Sequence, residues 1–243
     1  MSQIGALALV GSGEYTDAMF SIERNLIETG VKKGKAPTYV QFATAAGKES
    51  RESIEYWKNL GRKQAERIGC DWKFIEVFDL NDALNQKWIE EIKNSALIYF
   101  SGGNPHHLYE SLQGTQLWEA IKAEFKTGTS LAGCSAGAMV LGDLIALPFK
   151  NFGRGITGLG LVGNLVVLPH YDKYFSRIPS VLQRLMLPNG KKHSVIGVDE
   201  NTALIHENGW SIVGKSGVHH ISSEEPNSYF EGDNFDLELA IKI

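Results

Sequence analysis

Short apolar runs alternate along this chain with longer amphipathic stretches. The short runs suit buried strands, and the longer ones suit helices packed over them. The pattern predicts strands over Leu7 to Val10, Tyr39 to Ala43, Phe74 to Val77, Ala96 to Phe100 and Ser130 to Ala132. It predicts helices over Asp17 to Glu28, Glu49 to Ile68, Asp82 to Lys93 and Trp118 to Phe125, with Thr16-Asp17 and Asn81-Asp82 as capping residues. Strands alternating with helices argue for an α/β fold with a mostly parallel sheet.

After Leu147 the texture changes. Pro148 to Gly155 reads as a loop, and Gly158, Gly160 and Gly163 punctuate the approach to the apolar run Leu165 to Leu168. A helix is expected over Pro179 to Met186. Short β-like runs follow at Val195 to Val198, Ala203 to Ile205, Trp210 to Val213 and Val218 to Ile221, with Asn208-Gly209 as a hairpin turn. No internal repeat, low-complexity tract or Pro/Ser-rich linker interrupts the chain, so residues 1–243 are read as a single domain.

At 243 residues and 43% apolar content, the chain is long enough to bury a full α/β core. A net charge of -4 gives no electrostatic case for nucleic-acid binding, and Lys32-Lys33-Gly34-Lys35 reads as a solvated loop. The apolar start, Ser2 to Val10, lacks a basic leader and reads as a buried strand rather than a signal peptide. No apolar run is long enough to span a bilayer, so no membrane partner is expected. Cys70 and Cys134 give no disulfide pattern and fit a reducing cytoplasm.

The chemistry-bearing stretch is Gly133-Cys134-Ser135-Ala136-Gly137-Ala138, which follows a strand and opens a helix. A Gly-x-Ser-x-Gly sequence on such a turn is the mark of a nucleophile elbow. Its glycines allow a sharp bend, and the first amides of the helix are free to hold a developing oxyanion. The plain alternative is a small-residue turn without chemistry.

A serine nucleophile needs a base and an orienting acid. Of the histidines, His170 is the best placed, just past the strand Leu165 to Leu168 and so at the sheet's carboxyl edge. His106-His107 reads as the start of a helix, and His219-His220 as surface residues of a late hairpin. The acid is Asp199 or Glu200; adjacent strand residues face opposite ways, so only one can serve His170. Asp143, assigned to the helix after Ser135, and Asp172 are further acids nearby. The turn Ser101-Gly102-Gly103-Asn104 supplies bare amides for the other half of an oxyanion hole, facing the Ala136 amide. Cys134 is one step off the central position of the elbow and reads as a small packing residue. Adjacent histidine pairs lack metal-binding spacing, and Gly11-Ser12-Gly13 lacks the third glycine of a dinucleotide fingerprint, so no metal or cofactor is expected.

Together these residues resemble the dipeptidase E and cyanophycinase family of serine peptidases. The likeness runs over most of the chain: Gly11-Ser-Gly, Ala43-Thr-Ala-Ala46, Phe100-Ser-Gly-Gly-Asn104, the elbow, Leu168-Pro-His-Tyr171 and Val198-Asp-Glu-Asn-Thr-Ala-Leu204. The resemblance implies a class I glutamine-amidotransferase-like, three-layer sandwich, here with a C-terminal β-hairpin extension. It also implies Ser135 as nucleophile, His170 as base and then acid, Glu200 as the orienting acid with Asp199 in reserve, and oxyanion amides at Gly103 and Ala136. The implied reaction is acyl transfer to Ser135 followed by hydrolysis, without a cofactor, on small peptides including aspartyl and β-aspartyl dipeptides.

The chain departs from cyanophycinases in two places. It carries Asn104-Pro105 after the Gly-Gly turn, and it has Asp172-Lys173-Tyr174 before the first downstream arginine. Its Pro-His arrangement is nearer to dipeptidase E. Asn104, Arg154, Lys173 and Arg177 are candidate substrate contacts, with a surface role as the alternative for each charged one. Two other readings stay open: a non-catalytic ligand-binding member of the fold, and an esterase with the order Ser135, Asp172, His206. Monomer and homodimer are both compatible with the sequence.

Overall fold

The computed structural model describes residues 4–146, 155–179, 182–183, 193–221, 227–235 and 239–242. In chain order the elements are β1 (Leu7–Val10), α1 (Phe20–Lys32), β2 (Ala36–Phe42), α2 (Arg51–Ile68), β3 (Asp71–Ile75), α3 (Leu80–Ala83) and α4 (Lys87–Ile92). They continue with β4 (Ser95–Phe100), α5 (Pro105–Leu112), α6 (Gln116–Lys126), β5 (Ser130–Cys134), α7 (Ala136–Leu141), β6 (Leu144–Ala146), β7 (Gly155–Thr157) and β8 (Leu165–Leu168). The last are α8 (Tyr171–Tyr174), β9 (Ser194–Val198), β10 (Thr202–His206), β11 (Trp210–Gly214), β12 (Val218–His220) and β13 (Asn227–Tyr229).

The central sheet has the order β11-β10-β1-β5-β4-β2-β3. Its β1, β5, β4, β2 and β3 are parallel; at one side β10 pairs antiparallel with β1, and β11 pairs antiparallel with β10. Successive residues of its strands point to opposite faces, and both faces are apolar. Leu7, Leu9, Ile98 and Phe100 enter one core with α5, α6 and α7, while Ala8, Val10, Leu97 and Tyr99 enter another beneath α1 and α2. Each large side chain so buried contributes about 1.5–3 kcal/mol. This is the α/β sandwich expected from the pattern.

A second sheet, of order β13-β12-β9-β8-β6-β7, packs Leu165, Val167, Ile196, Val198 and Val218 into the first of these cores. The residues between β9 and β10 carry the chain from this sheet into the central one, and that corner contains Asp199 and Glu200.

Several local expectations change. The Asn208-Gly209 turn does join antiparallel strands, with His206 opposite Trp210. This hairpin extends the central sheet, because β10 pairs with β1. The expected helix over Asp82 to Lys93 is two short helices, since Asn85 Oδ1 accepts the Lys87 amide at 3.1 Å and restarts the chain. Asp79, not Asn81-Asp82, caps the first of them, accepting from Asp82 N at 3.0 Å. Thr16 forms a turn on Gly13 O at 2.6 Å instead of capping α1, which starts at Phe20. β3 begins at Asp71 because Gly69, at φ +81°, ends α2 sharply. Lys35 is not solvated: its Nζ lies 2.9 Å from Glu124, with the side chain 9% exposed. Most of the expected loop 148–155 and of the expected helix 179–186 lies outside the described residues.

Candidate active site

Parallel register places the carboxyl ends of three central strands side by side. Val10 is level with Cys134, and Phe100 with Gly133. The turns that follow, Gly11 to Glu14, Ser101 to Asn104 and the elbow at Ser135, therefore emerge at one edge. The second sheet adds two more strand ends, because Leu168 of β8 is level with Gly197 of β9. His170 and Glu200 each follow one of these strands by two residues.

Ser135 sits at φ +50° and ψ -110°, a region that non-glycine residues avoid. The conformation is held by packing that tolerates no side chain at either flanking glycine. A Cβ on Gly133 would lie 2.4 Å from the Gly137 carbonyl carbon, and one on Gly137 would lie 2.4 Å from Phe100 O. Main-chain bonds from Ser135 N to Val10 O (3.0 Å) and from Met139 N to Ser135 O (3.0 Å) complete the elbow.

His170 Nε2 lies 3.1 Å from Ser135 Oγ, and His170 Nδ1 lies 2.9 Å from Glu200 Oε1. His170 is itself in the left-handed region, at φ +50°, which turns its ring back from the end of β8. The turn after it braces the acid twice. Lys173 Nζ is 2.6 Å from Glu200 Oε2, and the Glu200 amide donates to Asp172 Oδ1 at 3.0 Å. Burial pushes the Glu200 carboxyl up, but the hydrogen bonds from Lys173 and His170 outweigh it and hold it below the usual value. Glu200 is therefore an anion beside the imidazole at neutral pH.

Asp199 points elsewhere. It is 4% exposed, accepts from Ser216 Oγ (2.7 Å) and Gly217 N (3.0 Å), and lies 3.0 Å from His219 Nε2. Burial raises its carboxyl, and the bonds to His219, Ser216 and Gly217 bring it below the ordinary value. His219 stacks on Tyr171 with ring centroids 4.4 Å apart, so it is a half-buried partner of Asp199 and not the free surface residue expected.

The Gly-Gly turn lies against the nucleophile: a Cβ on Gly102 would be 3.4 Å from Ser135 Cβ. Gly103, at φ +136°, has Ala45 backbone atoms 2.6 Å from where a Cβ would sit. Three of the four amides in the turn are occupied: Ser101 N by Phe42 O (2.9 Å), Gly102 N by Glu14 Oε1 (2.9 Å) and Asn104 N by Ala45 O (2.8 Å). Among the described residues neither the Gly103 nor the Ala136 amide has a hydrogen-bond acceptor.

Glu14 is the residue the sequence reading passed over. Its other oxygen, Oε2, accepts from Cys134 Sγ at 2.8 Å. Cys134 is thus more than packing, and burial followed by the Glu14 charge pushes its thiol well up. The available signal was position alone, since Glu14 follows a Gly-Ser-Gly turn at the end of a strand beside the elbow.

The remaining candidates are dispersed. Asn104 caps α5, its Oδ1 accepting from His107 N at 3.1 Å. Lys173 is engaged by Glu200. Arg177 is exposed and has no hydrogen bond or ion pair among the described residues, and Arg154 lies outside them. Asp143 is beyond the end of α7, where it pairs with Lys242 at 3.0 Å. His206 is level with Leu7, at the opposite edge of the sheet from Ser135, and Asp172 is bound to Glu200 N. The alternative order Ser135, Asp172, His206 is therefore not assembled. His107 faces inward to Phe78 O at 2.7 Å. Among the described residues no group of three or more His, Cys, Asp or Glu side chains is arranged to hold a metal ion, and no helix is long and apolar enough to cross a membrane.

Residues 7–213 match the family described as Peptidase family S51. Peptidase E of a Nostoc species is 26% identical over 233 residues, covering 89% of this chain and 87% of that protein. An uncharacterised peptidase of Pasteurella multocida is 28% identical over 149 residues, 58% of this chain and 68% of that protein. Among solved structures, a peptidase from an acI-B1 Actinobacterium superposes with a TM-score of 0.87 at 42% identity, covering 96% of each chain. A putative peptidase E protein from Listeria monocytogenes shares the fold, with a TM-score of 0.59 at 18% identity, covering 88% of this chain and 100% of that one.

Proposed function

Because the chain belongs to peptidase family S51, we propose that it is a serine peptidase that hydrolyses small peptides, aspartyl and β-aspartyl dipeptides among them, through an acyl-enzyme on Ser135. The observation that carries this reading is the chain of hydrogen bonds from Ser135 Oγ through the His170 ring to Glu200, 3.1 and 2.9 Å long, on a backbone bent to φ +50°.

In this mechanism His170 Nε2 takes the Ser135 proton as Oγ bonds to the scissile carbonyl carbon. Glu200 keeps the ring proton on Nδ1 and stabilises the imidazolium. The carbonyl oxygen, now an anion, is held by the unpaired Gly103 and Ala136 amides, the latter at the positive end of α7. His170 then protonates the departing amine. A water, deprotonated by the same nitrogen, releases the acid from Ser135. Nothing in these steps calls for a cofactor.

The test has two stages. A fluorophosphonate probe should label the wild type and leave Ser135→Ala unlabelled; an unlabelled wild type refutes the nucleophile. A dipeptide panel with Asp-X, β-Asp-X and neutral members then reads the substrate class. Turnover of neutral members with none of the Asp-X or β-Asp-X members would refute the aspartyl substrates and leave the serine chemistry standing.

A further inference from the structure

The two groups proposed to hold the oxyanion belong to different strand ends, and one carboxylate joins those ends. Glu14 Oε1 takes the amide of Gly102, the residue before Gly103. Glu14 Oε2 takes the thiol of Cys134, the residue before Ser135. From this geometry we propose that Glu14 is a positioning residue for acyl transfer, setting the Gly103 amide relative to the nucleophile and the Ala136 amide. The inference rests on Ser135 being the nucleophile.

Three observations support the assignment. First, Glu14 is the only side chain that accepts a main-chain amide of the turn 101–104 among the described hydrogen bonds. Its bond to Gly102 orients the adjoining peptide and leaves the next N–H free. Second, the thiol is a dependable donor. Cys134 is fully buried, and burial together with the neighbouring carboxylate keeps it protonated. Third, the support under Glu14 is rigid. Tyr15, at φ +65°, donates its amide to the buried Glu23 Oε1 at 3.0 Å, and its hydroxyl lies 2.6 Å from Ser101 Oγ. The segment carrying the carboxylate and the turn it binds are thus tied at a second point. Preorganised donors need such support, because small displacements cost rate.

Glu14→Gln and the pair Cys134→Ala and Cys134→Ser test the proposal. A glutamine has one acceptor oxygen where two donors must be met, so one tie is lost at nearly constant shape. Complete loss of an oxyanion donor costs about 100- to 1000-fold in kcat, so a displaced one should cost roughly 10- to 100-fold. Glu14→Gln is expected to show that loss in kcat with KM within about threefold of wild type, and a matching loss of affinity for a peptide boronate that mimics the tetrahedral anion. Cys134→Ala should lose activity in the same sense, and Cys134→Ser, which still donates, should recover most of it.

A Glu14→Gln enzyme with wild-type kcat overturns the proposal. So does one in which only KM rises, which would make Glu14 a contact for the substrate's own cation. Should Glu14→Gln fail to fold by thermal melting, the cysteine pair decides, and wild-type kcat in Cys134→Ala overturns the brace. Hydrolysis that survives in Ser135→Ala removes the nucleophile on which the proposal depends. Normal labelling of both wild type and Glu14→Gln, with wild-type kcat in the variant, removes the brace alone.

Discussion

Asp199 and Glu200 are neighbours in sequence with unlike surroundings, and replacing each by its amide should give opposite phenotypes. In Glu200→Gln the single remaining oxygen has two suitors, Lys173 Nζ at 2.6 Å and His170 Nδ1 at 2.9 Å in the wild type. The ammonium can only donate, so it takes the oxygen and the amide NH2 faces the ring. Nδ1 must then accept, which moves the ring proton to Nε2, the nitrogen 3.1 Å from Ser135 Oγ. A protonated Nε2 cannot receive the serine proton. The same tautomer error in a serine protease costs about 10⁴ in kcat, roughly 5.5 kcal/mol of barrier. Asp199→Asn should instead be a stability mutant. Asp199 is 4% exposed with three donors around it, and an amide cannot accept from all of them. One lost hydrogen bond to a buried charge costs about 1.5–3 kcal/mol, or roughly 3–12 °C in Tm for a chain of this size. Steady-state hydrolysis and thermal melts on the two proteins separate the effects. Wild-type kcat in Glu200→Gln, or a loss of kcat in Asp199→Asn as large as that expected for Glu200→Gln, would refute the reasoning.

Other outcomes follow from single contacts. Lys173→Met should lower kcat several-fold with little change in KM, and Lys173→Arg should recover it; a rise in KM alone would make Lys173 a substrate contact. Gly137→Ala should destabilise by about 1–3 kcal/mol in urea titrations, since its methyl would sit 2.4 Å from Phe100 O; unchanged stability would show that the elbow has room. Glu23 is fully buried and its pKa is raised from 4.5 to about 7, by burial above all. Its folded pKa exceeds the unfolded one, so the stability Glu23 contributes is greatest below about pH 4.5 and is lost as pH rises through about 7, by roughly 3 kcal/mol in total. Glu23→Gln should flatten that part of the stability profile, and an unchanged slope would rule the residue out as its source.

Much of the architecture was legible because its signals are local. β1, β8 and the hairpin turn at Asn208-Gly209 fall where apolar runs and turn residues place them, since burial on both faces leaves little choice of residue type. Boundaries slipped where a single side chain decides, as at Asp79, Asn85 and Gly69, because a cap depends on one hydrogen bond that periodicity does not encode. The elbow was readable for the same local reason. Backbone sterics at Gly133 and Gly137 demand glycine, and that demand is written in consecutive residues.

Long-range chemistry was not written so. The sequence by itself determined the alternation of strands and helices, the bend at Ser135 and a short roster of partners for it. Only the tertiary structure decided among them. The corner between β9 and β10 turns Asp199 toward His219 and Glu200 toward His170, while β10 carries His206 to the far edge. It also set Glu14 between the Gly-Gly turn and the elbow, by bringing the ends of β1, β4 and β5 level. Strand register and the join between two sheets set these directions, and both depend on residues tens to hundreds of positions apart.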